Sequence, residues 1–374
     1  MHQENYNMTV ESWREQRSYL VNALGVIDAD PKYGAFAKEL SSALRSIRPA
    51  KPDTSGYTKP GSIKDVQTCG AVELSFGPNG ELASVSKAGK GWKGFLGGFQ
   101  YQSLSSQNFT DFCMDYGNKG CKATTENPGC HNFHKPNMSS ANPVYMVVRP
   151  VAAALYVKND KKGCSFLVQS KLSAVDMIAH TKYGAPDTVW TTVTVDAASA
   201  SADNAKTSVS ITSTWLNKTT TRMAEASWVS FIPKVKEAPT GWSISSMGQE
   251  VDPVKVVAHG ATHLHAMGAD GAMRYSGSDG ALTIASLDVP VLSTGILSPF
   301  PTPGQFGGAA AGSSGAGDVG ATLAQGMHWN VQNNVWNVDY PQWYPFEGVY
   351  GYGNGGKQDA TLGRDAAFRF NLEF

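Results

Sequence analysis

The stretch Ala71-Val72-Glu73-Leu74-Ser75-Phe76 alternates apolar and polar residues, breaks at Gly77-Pro78-Asn79-Gly80, and resumes as Glu81-Leu82-Ala83-Ser84-Val85. An extended strand points successive side chains to opposite faces, so this alternation builds one apolar face. Asn-Gly between two such runs closes a hairpin. The signature recurs along the chain. Further strands are expected at 144–148, 152–157, 164–172, 188–195, 207–215, 225–231, 254–258, 262–267, 281–287, 326–332 and 366–373. Many short strands with turns between them restrict the chain to a mainly β fold, a large antiparallel sandwich. The 39 Gly and 19 Pro serve such turns better than they would a helical bundle.

The helical signals are confined to residues 10–48. Trp13, Leu20 and Leu24 fall on one face, with Gly25 as the expected stop. A second helix is expected after Pro31, with Phe36, Leu40, Leu44 and Ile47 at a 3.6-residue period. Both are amphipathic and need something to pack on them. Residues 49–62 are rich in Pro, Gly and Ser and form a linker. The organisation expected is therefore a helical segment at 1–48, a linker at 49–62 and a β domain at 63–374. Two insertions interrupt that domain, at 113–142 and at the low-complexity run 304–320.

Net charge is +0, which argues against a nucleic-acid partner, since binding phosphates requires a basic footprint. The most apolar run, Val144 to Val157, is short and broken by Arg149 and Pro150, so no membrane span is expected. The polar start MHQENYNMTV has no apolar signal-peptide core and leads almost directly into a helix. Such a start reads as a cut within a longer protein, or as an incomplete gene model. Of five cysteines, Cys113, Cys121 and Cys130 cluster in a Gly/Asn-rich stretch, while Cys69 and Cys164 stand apart. In a secreted protein the cluster reads as a loop stapled by one disulfide, with an odd cysteine left over. Glycosylation sequons at Asn7, Asn108, Asn137 and Asn217 lean towards the secretory route or the cell exterior.

Three constellations carry possible chemistry. His259, His263 and His265 lie at even spacing on an expected strand and so share one face. Spread at about 3.3 Å per residue, they suit one metal ion poorly; contact with a sugar and structural bonding to backbone stay open beside it. Cys130-His131-Asn132-Phe133-His134 mixes zinc-ligand types at a spacing that fits no zinc motif. The run Trp329, Asn330, Asn333, Asn334, Trp336, Tyr340, Trp343, Tyr344 and Phe346 combines aromatic faces with amides, the mixture sugar sites use. Its alternative is a sandwich core served by turn-forming Asn. No carboxylate spacing demands a glycosidase pair; Asp288 with Glu250 is neither required nor excluded. No G-x-S-x-G elbow, P-loop or dinucleotide fingerprint occurs.

Several segments together resemble a known family. They are Trp13-Arg14-Glu15-Gln16-Arg17-Ser18-Tyr19-Leu20, Tyr183-Gly184-Ala185-Pro186 and Arg222-Met223-Ala224-Glu225-Ala226-Ser227-Trp228-Val229-Ser230-Phe231. Later come His259-Gly260-Ala261-Thr262-His263-Leu264-His265, Leu287-Asp288-Val289-Pro290 and Asn333-Asn334-Val335-Trp336-Asn337-Val338-Asp339-Tyr340-Pro341-Gln342-Trp343-Tyr344. This order resembles the C-terminal half of the domain of unknown function 5054 family, whose longer members look like glycoside hydrolase family 38, the α-mannosidase type. The resemblance implies that residues 1–48 end a helical domain following a catalytic barrel. It implies that the rest is a supersandwich similar to galactose mutarotase folds. Family 38 enzymes hold zinc partly through a His-x-Asp pair in the N-terminal half, and no His-x-Asp occurs here. The resemblance therefore implies no catalytic residue, no metal ligand and no cofactor in this chain; zinc belongs to the absent half.

The function expected is that of an accessory β-sandwich of a glycoside hydrolase-like protein, partnered by a glycan and by an N-terminal catalytic domain of the same protein. The alternatives are a free-standing carbohydrate-binding module and a mutarotase-like epimerase. The candidate sugar contacts are His259, His263, His265, Asn333, Asn334, Trp336 and Trp343.

Overall fold

A computed structural model describes residues 15, 18–19, 22–46, 49–110, 138–203, 206–219, 221, 223–237, 240–246, 248–253, 264–267, 271–299, 326–335 and 365–374. In chain order the strands are β1 Gln67–Cys69, β2 Val72–Phe76, β3 Leu82–Lys87, β4 Lys90–Ser103, β5 Met146–Val148, β6 Val151–Asp160, β7 Gly163–Lys171, β8 Thr188–Asp196 and β9 Ser208–Leu216. They continue as β10 Glu225–Pro233, β11 Trp242–Ser246, β12 Gln249–Val251, β13 Leu264–Ala266, β14 Ala272–Gly277, β15 Gly280–Ser286, β16 Val291–Thr294, β17 Met327–Asn334 and β18 Ala366–Glu373.

These strands form two antiparallel sheets, as the alternation requires. Sheet I runs β1-β2-β3-β4-β10-β17-β16-β13, with β5 also paired to β4. Sheet II runs β12-β11-β14-β15-β18-β9-β8-β7-β6. Their inner faces meet in one apolar core. Phe99 of β4 packs on Trp215 of β9 at 5.8 Å, and Phe231 of β10 packs on Phe370 of β18 at 5.4 Å. Phe76 of β2 meets Phe166 of β7 at 5.8 Å. A disulfide between Cys69 of β1 and Cys164 of β7 ties the sheets together across this core. Cys69 and Cys164, which stood apart in the sequence, are thus each other's partners; Cys113, Cys121 and Cys130, where one disulfide and an odd cysteine were expected, lie outside the described residues. Two cysteines 95 positions apart are brought within bonding reach because β1 and β7 face one another.

The longest strand, β4, carries no alternation, and the reason is visible in its burial. Residues 96–103 are buried on both faces. Its glycines also break the pattern for a purpose. Gly97 adopts a φ of +72°, and a Cβ there would stand 2.9 Å from Ile211 Cγ2 of sheet II. The register between β4 and β10 shifts at this point. Gly97 is the extra residue of a bulge that bends β4 while letting the sheets approach. Strands β1, β11, β12, β14 and β16 were likewise not anticipated, while 254–258 lies outside the described residues.

The helical segment differs in one respect. The helix runs through Gly25 to residue 29, so Gly25 is not a stop. An interior glycine costs only about 1 kcal/mol relative to Ala. The break falls at Asp30-Pro31 instead, because proline disfavours helical backbone at the residue before it. A second helix spans Gly34–Ser46. Val26 and Phe36 on these helices stay exposed, at 73% and 54%. The 49–62 stretch is laid along β6, the edge of sheet II: Thr58 bridges Val157, and Tyr57 Oη lies 2.9 Å from Ser165 Oγ. An edge strand covered in this way presents fewer unpaired backbone groups. Among the described residues no helix is long and apolar enough to cross a membrane.

Candidate functional site

Directly paired residues of antiparallel strands share a face. In sheet I the pairing places Gln100 beside Trp228 and Asn330, and Gly98 beside Ser230, His328 and Ser293. Phe99, Tyr101, Val229, Phe231 and Trp329 take the inner face and join the core. The outer face of β4, β10 and β17 is therefore a row of polar groups: Gln100, Gln102, Ser230, His328 and Asn330. Polar residues on an outer face are ordinary; buried ones are not. Gln100, Gln102 and Ser230 are 0% exposed, His328 3%.

Buried polar atoms must find partners, and these do so in sequence. Arg149 Nε donates to Gln100 Oε1 at 2.7 Å, and Gln100 Nε2 donates to Ser230 Oγ at 2.6 Å. Ser230 Oγ lies 2.7 Å from His328 Nδ1. Beside this chain, Trp228 Nε1 donates to Gln102 Oε1 at 3.1 Å, and Gln102 Nε2 donates to the Leu297 carbonyl at 2.7 Å. Asn330 Oδ1 accepts from Asn333 Nδ2 at 2.5 Å. The floor of this face is thus an ordered amide network running from a surface guanidinium to a buried imidazole.

Burial holds His328 down to about 4, against a backbone hydrogen bond at Gly295 that favours the charged form; the Arg149 charge adds to the lowering. The imidazole is neutral at pH 7. An unfolded His titrates near 6.5, so the unfolded chain binds the extra proton first as pH falls. The fold should keep its full stability above pH 6.5 and lose about 3 kcal/mol between there and pH 4 through this residue. Urea unfolding of the parent and of His328→Gln at pH 7 and pH 4.5 checks this: the acid-side loss should shrink in the variant.

The rim of the face is open. Tyr145, Val147 and Arg149 alternate with Met146 and Val148 and turn outward, Tyr145 at 37% and Val147 at 36% exposure. The Arg149 guanidinium stacks 4.8 Å from the Phe95 ring centre. An aromatic ring, an aliphatic patch and a guanidinium therefore stand exposed above a buried polar network.

A second polar cluster closes one end of the sandwich. Lys218 Nζ stands 2.6 Å from Glu225 Oε1, both side chains under 10% exposed. Tyr101 Oη donates to Glu225 and lies 2.9 Å from the Tyr183 carbonyl. Burial, then the Glu225 charge, raises the Tyr101 hydroxyl well above its usual 10. Gly184, left-handed at φ +83°, ends the helix Met177–Tyr183 and turns its own carbonyl to Lys218 Nζ at 3.3 Å. Fully enclosed, this cluster fastens strand ends and helix together.

The expected site residues are distributed unevenly. Asn333 joins the outer face through Asn330, whereas Asn334 Nδ2 donates to the Thr221 carbonyl at 2.7 Å. Trp329, for which a sugar platform and a sandwich core both stood open, is a 0% exposed core residue against Phe231 and Phe370. His265 lies on β13 at the edge of sheet I, its backbone paired with Leu292. His259, His263, Trp336, Trp343, Asn7 and Asn137 lie outside the described residues. Asn108 Oδ1 accepts from Ser105 N and Oγ, while Asn217 is exposed with Nδ2 facing Asp187. Asp288 pairs with Arg369 and Glu250 with Arg274, so each has its own partner. Among the described residues no three His, Cys, Asp or Glu gather as a metal site. Gln100, Gln102, Arg149 and His328 carried no motif, and Ser230 lay unremarked within the Arg222–Phe231 segment; the one local signal was Gln at 100 and 102 inside an otherwise apolar run.

Fold and face together define an antiparallel two-sheet β-sandwich with a buried polar network beneath an aromatic rim. The chain belongs to the family described as Domain of unknown function (DUF5054), whose model matches residues 1–202. The match contains the Trp13–Leu20 and Tyr183–Pro186 segments; the later segments lie beyond it. No curated protein matches the sequence. Two solved structures share a distant likeness. A glycosyl hydrolase family 38 protein from Enterococcus faecalis has TM-score 0.39 and 9% identity, over 83% of this chain and 30% of that one. An alpha-mannosidase from Enterococcus faecalis has TM-score 0.37 and 10% identity, over 83% of this chain and 29% of that one. The chain thus spans under a third of the length of either.

Proposed function

We propose that this chain is the carbohydrate-facing accessory β-sandwich of a glycoside hydrolase-like protein, and that it performs no hydrolysis by itself. The observation that carries the reading is the exposed edge of the outer face of sheet I, where Tyr145, Val147 and Arg149 stand over a buried, internally bonded amide network that holds them in place. A pyranose presents an apolar C–H face and a ring of hydroxyls. Aromatic and aliphatic walls with a few fixed polar groups suit both. The sequence resemblance supports the same reading. On it, residues 63–374 pack as one unit against an N-terminal catalytic domain that supplies zinc and the nucleophile, and residues 1–48 complete the helical domain between them. The secretory route fits the sequons and the Cys69–Cys164 bond, since disulfides persist in oxidising compartments.

Titrating the full chain with neutral and acidic glycans tests this. At least one should bind, and Tyr145→Ala should weaken it about five- to tenfold, the worth of one aromatic stack. Because Tyr145 is at the rim, the melting temperature should hold. Unchanged affinity in Tyr145→Ala, or zinc-dependent α-mannoside hydrolysis by this chain alone, would overturn the reading.

A further inference from the structure

We propose that the outer face of sheet I selects carboxylate-bearing sugars, with Arg149 as the residue that reads the acid group. This rests on the carbohydrate reading above and names its ligand class.

Three observations converge on Arg149. First, its guanidinium is held in a fixed plane. Nε donates to Gln100 Oε1 at 2.7 Å while the group stacks on Phe95 at 4.8 Å. Gln100 is fixed in turn by Ser230, and Ser230 by His328. A guanidinium braced from below loses little further freedom on binding, and such preorganisation favours affinity. Second, that bracing uses Nε alone. Arg149 is exposed, and its two terminal nitrogens meet no acceptor among the described residues. Two parallel N–H donors on one planar group match the two oxygens of a carboxylate. Third, Glu81, whose carboxylate the Arg149 charge favours, is 6% exposed and accepts from Asn79 N at 2.9 Å, and among the described residues it forms no ion pair with Arg149. His328, at the far end of the network, stays neutral at pH 7.

The placement of the rim argues for a sugar rather than a bare anion. Tyr145, Val147 and Arg149 turn outward at alternate positions. Four residues of extended chain separate Tyr145 from Arg149 by about 13 Å. A sugar ring lying over Val147, between Tyr145 and Arg149, would bring an acid group to the guanidinium while its C–H face rests on the exposed Val147 and Tyr145 side chains. A free carboxylate would use Arg149 alone.

Calorimetric titration of the full chain with D-glucuronate, D-glucose and acetate separates the outcomes. Glucuronate should bind at least about tenfold tighter than either of the others, a bidentate charged pair adding to the ring contacts. Arg149→Ala should bring glucuronate down to the level of glucose. Arg149→Lys, which keeps the charge and loses the fork, should retain only part of the preference. Equal binding of glucuronate and glucose by the parent overturns the acid selection and leaves the carbohydrate reading standing. Acetate binding as tightly as glucuronate overturns the sugar component. Failure of every sugar to bind, here and in the glycan panel, removes the carbohydrate reading and this inference with it. Should Arg149→Ala not fold, the parent's preference and Arg149→Lys decide.

Discussion

Replacing Cys69 and Cys164 together by alanine is expected to lower the free energy of unfolding by about 4–5 kcal/mol. The bond closes a loop with a sequence separation of 95, and cross-linking so long a loop removes much freedom from the unfolded chain. It also joins an outer strand of sheet I to sheet II, so both sheets lose a tether at the same point. The two side chains are 1% and 9% exposed, and alanine leaves no polar group buried there. Urea unfolding of parent and double variant reads the difference. Reductant should shift the parent to the variant's midpoint and leave the variant unmoved. A parent whose midpoint ignores reductant would show that the bond contributes nothing in solution.

Lys218→Met is expected to cost about 3–5 kcal/mol, because it strands the Glu225 carboxylate in a buried site with its cationic partner gone. The pair is 2.6 Å apart with side chains 8% and 2% exposed. Removing one charge leaves the desolvation of the other uncompensated. Removing both should cost far less: in Lys218→Met with Glu225→Met no buried charge remains, and Tyr101 Oη still has the Tyr183 carbonyl at 2.9 Å. The measurement is a double-mutant cycle from urea unfolding at pH 7. Additive single effects would mean that the two charges do not depend on each other, contrary to their enclosure. This cluster thus contributes to holding β4, β10 and the helix Met177–Tyr183 in place.

Where the structure agrees with the residue pattern, burial explains why. β2 reads Val72, Leu74 and Phe76 inward with Glu73 exposed between, so alternation alone disclosed it. The same holds for β18, where Ala366, Phe368, Phe370 and Leu372 face in. β4 escaped because its second half is covered on both sides and its glycines serve a bulge and close approach. Trp329 stayed open because an aromatic residue in an Asn-rich run has one composition and two possible addresses, and only its parity within β17 sends it inward.

The candidate site was less legible. Arg149, Gln100, Ser230 and His328 are separated in sequence by 49, 130 and 98 positions at their successive contacts. No spacing rule connects them, since the sheet order β4-β10-β17 sets their adjacency. What the chain's residues determined unaided was local: which segments extend, which face of most of them is apolar, and that the whole must close as layered sheets. Those follow from sterics and burial acting over a few neighbouring positions. Which strand lies beside which, which cysteines meet and which polar side chains line up under a surface guanidinium were decided only by the tertiary structure. Cross-strand partners are fixed by how the sheets pack together, and that depends on every strand at once.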